Sequence, residues 1–208
     1  MKHATVRWAI AGLLVSLCTL FVLIYGTTHG PTLLVENSVI LDAADQVMSC
    51  AASGDYSTLE PLLYGAPTLG DAPEADNSAQ GLIWKAYLDS IQYSFPETPY
   101  AVDSKIALDV CVTCLDISAI TDSLHDIAPK LMADKAAQIT DVTVVYDEDS
   151  NYQEAFLAEV MAESAAQALE SSSITMERTM TLQFVRSNGT WQLLPSDEFL
   201  QFLSGFLS

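Results

Sequence analysis

From Trp8 to Tyr25 the chain reads WAIAGLLVSLCTLFVLIY, eighteen consecutive positions without a charge. As a helix, such a run is just long enough to cross a hydrocarbon layer of roughly 30 Å. Lys2 and Arg7 precede it, and no basic residue follows until Lys85. The positive-inside bias then sets the topology. Residues 1–7 are expected as a cytoplasmic tail, 8–25 as a transmembrane helix, 26–35 as a linker and 36–208 as an extracytoplasmic domain. The chain is expected to be a single-pass protein of the cell membrane.

Two other readings of this segment compete. A cleaved signal peptide has a shorter apolar stretch and a small-x-small exit. Here Ile24-Tyr25-Gly26 is a poor exit, because Ile24 is large. A lipoprotein signal needs a small residue before the acylated cysteine, and Leu17 precedes Cys18. An uncleaved anchor is the reading these residues favour.

Charge separates the two parts. All 27 acidic residues lie after residue 35, against six basic ones. The whole chain carries −19, and Lys2 and Arg7 are its two basic residues before the domain, so the domain carries about −21 at neutral pH with ordinary pKa values. Such a field repels nucleic acid and anionic headgroups, so no nucleic-acid partner is expected. It attracts cations, although a single-sign acidic surface also serves solubility alone.

Periodicity gives the domain's order. Ile40, Ala43, Ala44, Val47 and Ala51 recur at helical spacing behind Asn37 or Ser38 as N-cap, and Ser53-Gly54 ends that helix. Ser57 and Glu60 are spaced as a capping box for a short second helix carrying Leu59, Leu62 and Leu63. Residues 66–78 read as a loop. A third helix is expected from Ala79 to Ser90, then strand-like alternation at Ile91, Tyr93 and Phe95. From Val102 to Asp116 a clear strand places Ile106, Leu108, Val110, Val112 and Cys114 on one face.

A helix through Ile120, Leu124, Ile127 and Leu131 follows, bent near Pro129. Residues 138–152 are ambiguous, VTVVY admitting a short strand before the polar tip DEDSN; Gln153 to Leu169 reads as a helix. Ile174 to Arg186 alternates, Asn188-Gly189 is a hairpin signal, and Trp191 and Leu193 return. Pro195 and Ser196 start a last helix with a stripe from Phe199 to Leu207. The class is α+β, with a curved antiparallel sheet packed on helices.

Two stretches carry a family resemblance. AADQVMSCAASGDYSTLEPLL, near the domain's start, resembles the helix–Gly-Asp-Tyr–helix opening of bacterial envelope proteins with the nuclear transport factor 2-like, cone-shaped fold. SNGTWQLLPSDEFLQFLSGFL resembles their closing hairpin and terminal helix. The resemblance implies a cone whose mouth holds a small ligand, or a sheet face that dimerises. It takes in enzymes such as ketosteroid isomerase and scytalone dehydratase. No catalytic motif of theirs matches a position here, and shape alone does not confer an activity.

Cys111 and Cys114 form a C-x-x-C inside a strand. Residues three apart there lie about 10 Å apart on opposite faces, beyond disulfide reach. Cys50 pairing with either remains open, beside three free thiols. His125 lies one step off an apolar stripe and reads as a helix-flank residue, so no metal site is expected.

Asp147-Glu148-Asp149-Ser150-Asn151 opens like a calcium loop, but Tyr152 stands where the turn needs Gly and Ala158 where coordination needs Glu. Asp109, Asp116 and Glu177 are strand carboxylates that an isomerase-like site would turn inward, though solvated strand charges explain them. Trp84, Tyr87 and Trp191 are the candidate pocket or core aromatics, and Trp84 and Trp191 are expected to fill core.

No catalytic residue or cofactor site is assigned. The expected function is a non-catalytic, membrane-tethered binding domain of the cell envelope. Its partner would be an envelope protein or a small apolar ligand, or a second copy through the sheet face. The rivals are an isomerase or dehydratase using a pocket carboxylate, and a structural spacer or assembly partner.

Overall fold

The computed structural model describes residues 37–171 and 174–205. The expected membrane helix at 8–25 lies outside them, as do Phe206 and Leu207 of the terminal stripe. Among the described residues no helix is long and apolar enough to cross a membrane. The chain divides into two units, one ending at Ala43 and one running from Ala44 to Ser208. Of the first, the described part is the helical stretch 37–43.

The second unit is α+β. It opens on helical residues 44–53 (α1), which bury Ala44, Val47, Met48 and Ala51. α2 (Tyr56–Leu59) runs into a 3-10 turn, Glu60–Leu62. Its cap differs from the expected Ser57–Glu60 box. Asp55 is the N-cap and accepts from the Thr58 amide at 3.1 Å, while the Ser57 hydroxyl donates to the same carboxylate at 2.8 Å. Glu60 instead accepts from the Leu69 amide at 2.7 Å and ties down the loop that follows. A carboxylate two residues nearer the glycine turn caps the first orphan amides as well as a hydroxyl does.

α3 (Ala79–Ser90) starts on Ser78, whose hydroxyl accepts from the Gly81 amide. The strands are β1 (Gln92–Ser94), β2 (Tyr100–Val102), β3 (Lys105–Leu115), β4 (Thr175–Ser187) and β5 (Thr190–Leu194). Their order is β1-β3-β4-β5, with β2 also on β3, and every pairing is antiparallel. Between β3 and β4 the chain leaves through two long helices, α4 (Ile117–Gln138) and α5 (Glu154–Ser171), yet Leu115 and Thr175 return opposite each other. α6 (Asp197–Ser204) closes the described chain behind Ser196, whose hydroxyl accepts from the Phe199 amide.

Opposed residues share a face. One face of β3 and β4, with Leu108, Val110, Val112, Met180, Leu182 and Phe184, is buried. α3 packs on β3, α6 on β4, and α5 on both α3 and α4. The Asn188-Gly189 turn has positive φ at both residues, 50° and 85°, as a two-residue hairpin of the right twist requires.

The ambiguous stretch is a 3-10 turn, Val142–Val144, followed by a single bridge between Tyr146 and Tyr152. It buries Val145 with Phe156 and Val160, a small core at the far end of the α4–α5 pair. Asp116 caps α4 by accepting from the Ala119 amide at 3.1 Å, which turns this carboxylate to the helix start and away from a pocket.

Candidate groove between the helices

Among the described residues a groove of about 700 Å³ with apolar walls opens between the helices. Its volume is typical of small-ligand sites. Among the described residues, none of its lining comes from a strand. α3 contributes Ala79, Gln80, Ile83 and Trp84, and α6 contributes Leu200, Leu203 and Ser204. α4 contributes Ile117, Thr121 and Leu124, α5 Met161, and the loop after α2 supplies Leu69, Asp71 and Pro73. Ile117, Thr121 and Leu124 stand at i, i+4 and i+7, one stripe of a helix.

A second hollow continues along α4. It is lined by His125, Ala128 and Pro129 and shares Thr121, Leu124 and Met161 with the first. From Ile117 to Ala128 the stripe spans about 16 Å at roughly 1.5 Å per residue. Pro129 sits inside α4 and has no amide to donate back to the preceding turn.

The polar groups of the groove are few. Tyr56 is buried, and its hydroxyl donates to the Leu203 carbonyl of α6. Burial pushes that phenol up to about 12. Asp71, the one carboxylate of the lining among the described residues, is exposed. Besides the phenols of Tyr56 and Tyr87, Ser164 is a buried polar side chain, and it donates to the Val160 carbonyl one turn back in α5 at 2.7 Å.

The candidate aromatics separate. Trp84 is buried and lines the groove, its ring 5.6 Å from that of Tyr87. Tyr87 is core: it is 1% exposed and donates to the Phe202 carbonyl at 2.7 Å. Trp191 stands apart on β5, half-buried, with the Arg186 guanidinium 6.0 Å from its ring centre.

Asp109 and Glu177 lie on the other sheet face, away from the groove. Asp109 accepts from Thr181 at 2.7 Å and from Tyr100 at 3.3 Å, and Lys105 donates to Gln183 at 3.0 Å beside them. Cys111 lies on this face, its sulfur 3.4 Å from the Thr179 hydroxyl, whereas Cys114 is buried on the opposite one. All three described cysteines are free thiols, and only Cys114 is fully buried. Asp147 accepts from the amides of Asp149 and Asn151, folding the acidic loop onto its own backbone. Among the described residues no cluster of metal-ligating side chains is present.

Leu69, Ile83, Met161 and Leu200 escaped the sequence reading as site residues. They come from four separate segments, and each looks like an ordinary apolar position in its own. No family model, curated protein or solved structure matches this chain.

Proposed function

We propose that this chain is a membrane-tethered, extracytoplasmic binding module of the cell envelope, which holds its ligand in the helix-walled groove without transforming it. The anchor is the uncharged run at 8–25, and the acidic domain lies outside the cytoplasm. The architecture we assign is a nuclear transport factor 2-like cone. It is supported by the β4–β5 hairpin leading into α6 and by α3 and α6 on the buried sheet face.

One observation carries the binding reading: the groove is apolar, and its polar groups are occupied or exposed. An isomerase-type site needs a carboxylate held among apolar walls, facing a donor. Here Asp71 is open to water and the Tyr56 hydroxyl is already given to Leu203. We assign contact to the groove rather than to the outer sheet face, where the polar side chains of Lys105, Asp109, Thr181 and Gln183 bond one another.

A neutral, environment-sensitive dye tests the groove. Saturable binding with a blue shift is expected, at least 10-fold weaker in Thr121→Trp, because Thr121 lines both hollows and is itself exposed. Unchanged affinity in that variant, or saturable turnover of an enolisable ketone, defeats the reading. Topology is checked separately by peptide-resolved labelling of Cys111 in intact cells with an impermeant thiol reagent. Labelling only after lysis defeats the outside location.

A further inference from the structure

We infer that the occupant of the groove is an amphipathic helix of a partner protein, with an apolar stripe facing the groove and basic residues on its flanks. This rests on the groove being the ligand site proposed above.

Shape is the first argument. The two hollows share Thr121, Leu124 and Met161, so they adjoin along three turns of α4 and together make a trough for a docked helix. A trough about 16 Å long accepts anchors at i, i+3 or i+4 and i+7 of a docked helix. The walls come from helices and one loop, with no strand edge among them, so an extended peptide finds no ladder of main-chain partners.

Polarity is the second. With Tyr56 committed to Leu203, the floor offers little to a ligand's polar groups, so those must face water while apolar groups face inward. That is the pattern of a surface helix with one apolar stripe.

Charge is the third, and it separates a basic peptide from a fatty acid or phospholipid. Among the described residues no lysine or arginine lines either hollow. The lining carboxylate is Asp71, and exposed carboxylates border the lining in sequence: Asp122 and Asp126 on α4, Asp197 and Glu198 on α6. Lys85 and Lys130, next to Trp84 and Pro129, are the two cations in comparable positions. An anionic headgroup would enter a field of about −21 with only Lys85 and Lys130 beside the lining to offset it, whereas basic flanks are drawn in.

The test uses the full chain in nanodiscs of phosphatidylcholine, with empty discs as the blank. The probes are a leucine–lysine helix of about 18 residues, long enough to cover the trough, its leucine–glutamate counterpart with the same stripe, a scrambled leucine–lysine sequence, and palmitate. The leucine–lysine helix is expected to bind at least 10-fold tighter than either peptide control. Met161→Lys places a cation at an exposed wall position and is expected to weaken it at least 10-fold, with the thermal midpoint of the protein retained. Equal binding of the scrambled peptide reduces the effect to bulk charge and overturns the inference. Tighter binding of palmitate, displacing the neutral dye, overturns it in favour of a lipid. Dye binding with no peptide binding overturns it and leaves the binding groove standing; loss of both removes the groove as well.

Discussion

The Tyr87 hydroxyl of α3 donates to the Phe202 main-chain carbonyl of α6 at 2.7 Å, and the Tyr56 hydroxyl of α2 donates to the next carbonyl, Leu203. The last carbonyls of a helix have no partner within it. Here two buried phenols from separate elements supply partners, and they hold α6 where Leu200 and Leu203 wall the groove. Each tyrosine to phenylalanine change is expected to cost about 0.5–1.5 kcal/mol. Tyr56→Phe should fall nearer the upper end, because the Phe202 carbonyl keeps the Gly205 amide at 3.1 Å. Denaturant midpoints check this, and the idea fails if Tyr56→Phe is neutral while dye binding is retained.

The same phenols predict alkaline sensitivity. Burial pushes Tyr56 up to about 12 and raises Tyr87 further, with Cys114 as a smaller second cause. A folded-state pKa above the unfolded value of about 10 means the folded protein binds that proton more tightly. The stabilisation is therefore whole below about pH 10 and is lost as pH rises through the folded values. Stability measured from pH 9 to 12 should fall, and less steeply in the Tyr56→Phe, Tyr87→Phe double variant. Parallel slopes would remove these two groups as the cause.

The hairpin turn predicts a purely conformational cost. Gly189 has φ of 85°, and a Cβ there meets nothing within 4 Å. Gly189→Ala should lower stability by about 1–2 kcal/mol, the penalty for holding an L-residue in the left-handed region. A neutral result in chemical denaturation would mean that the turn relaxes to another form.

The parts of the fold legible in the sequence were those set by local rules. The helix read from Ala79 to Ser90, Asn188-Gly189 and the alternation from Ile106 to Cys114 each rest on patterns within a few residues, and each element stands where its pattern put it. Residues 138–152 stayed ambiguous because apolar runs as short as VTVVY do not distinguish a strand from a turn; only the tertiary partners Phe156 and Val160 decide. The groove was illegible for a stronger reason. It exists because the α4–α5 pair leaves and re-enters the sheet between β3 and β4, and no spacing in the chain records which helix faces meet. Met161 held a hint, as a large apolar residue left 39% exposed once α5 is placed.

Thiol reactivity follows from the two faces of β3. Cys114 is 1% exposed, and burial pushes its thiol up; Cys50 is half-buried and raised by burial and then by Asp55. Cys111 lies half-buried on the sheet face away from the core. A thiolate is the reacting species, so in a short alkylation pulse Cys111 should be modified first and Cys114 only on global unfolding. Peptide-resolved mass spectrometry reads the order, and native-state labelling of Cys114 would contradict the strand placement.

The last prediction concerns the far end of the α4–α5 pair. Val145, Phe156 and Val160 form a core of their own, against Leu131, Met132, Ala136 and Ile139. Phe156 stacks on Tyr152 at 5.8 Å, and Tyr152 lies 5.0 Å from Tyr146. The same end carries Lys135 between Glu159 and Glu163, at 2.5 and 2.6 Å, an exposed triad worth little by itself. Phe156→Ala should therefore cost about 3–5 kcal/mol of local stability, while Lys135→Ala costs under about 1 kcal/mol. Because this cluster is a satellite of the main core, the loss should appear as faster hydrogen exchange from Val145 to Val160, with the amides of β3 and β4 still protected. Exchange rising uniformly through the sheet would mean that the helical pair and the sheet unfold as one unit, and that the groove wall built from Thr121, Leu124 and Met161 is as rigid as the core behind it.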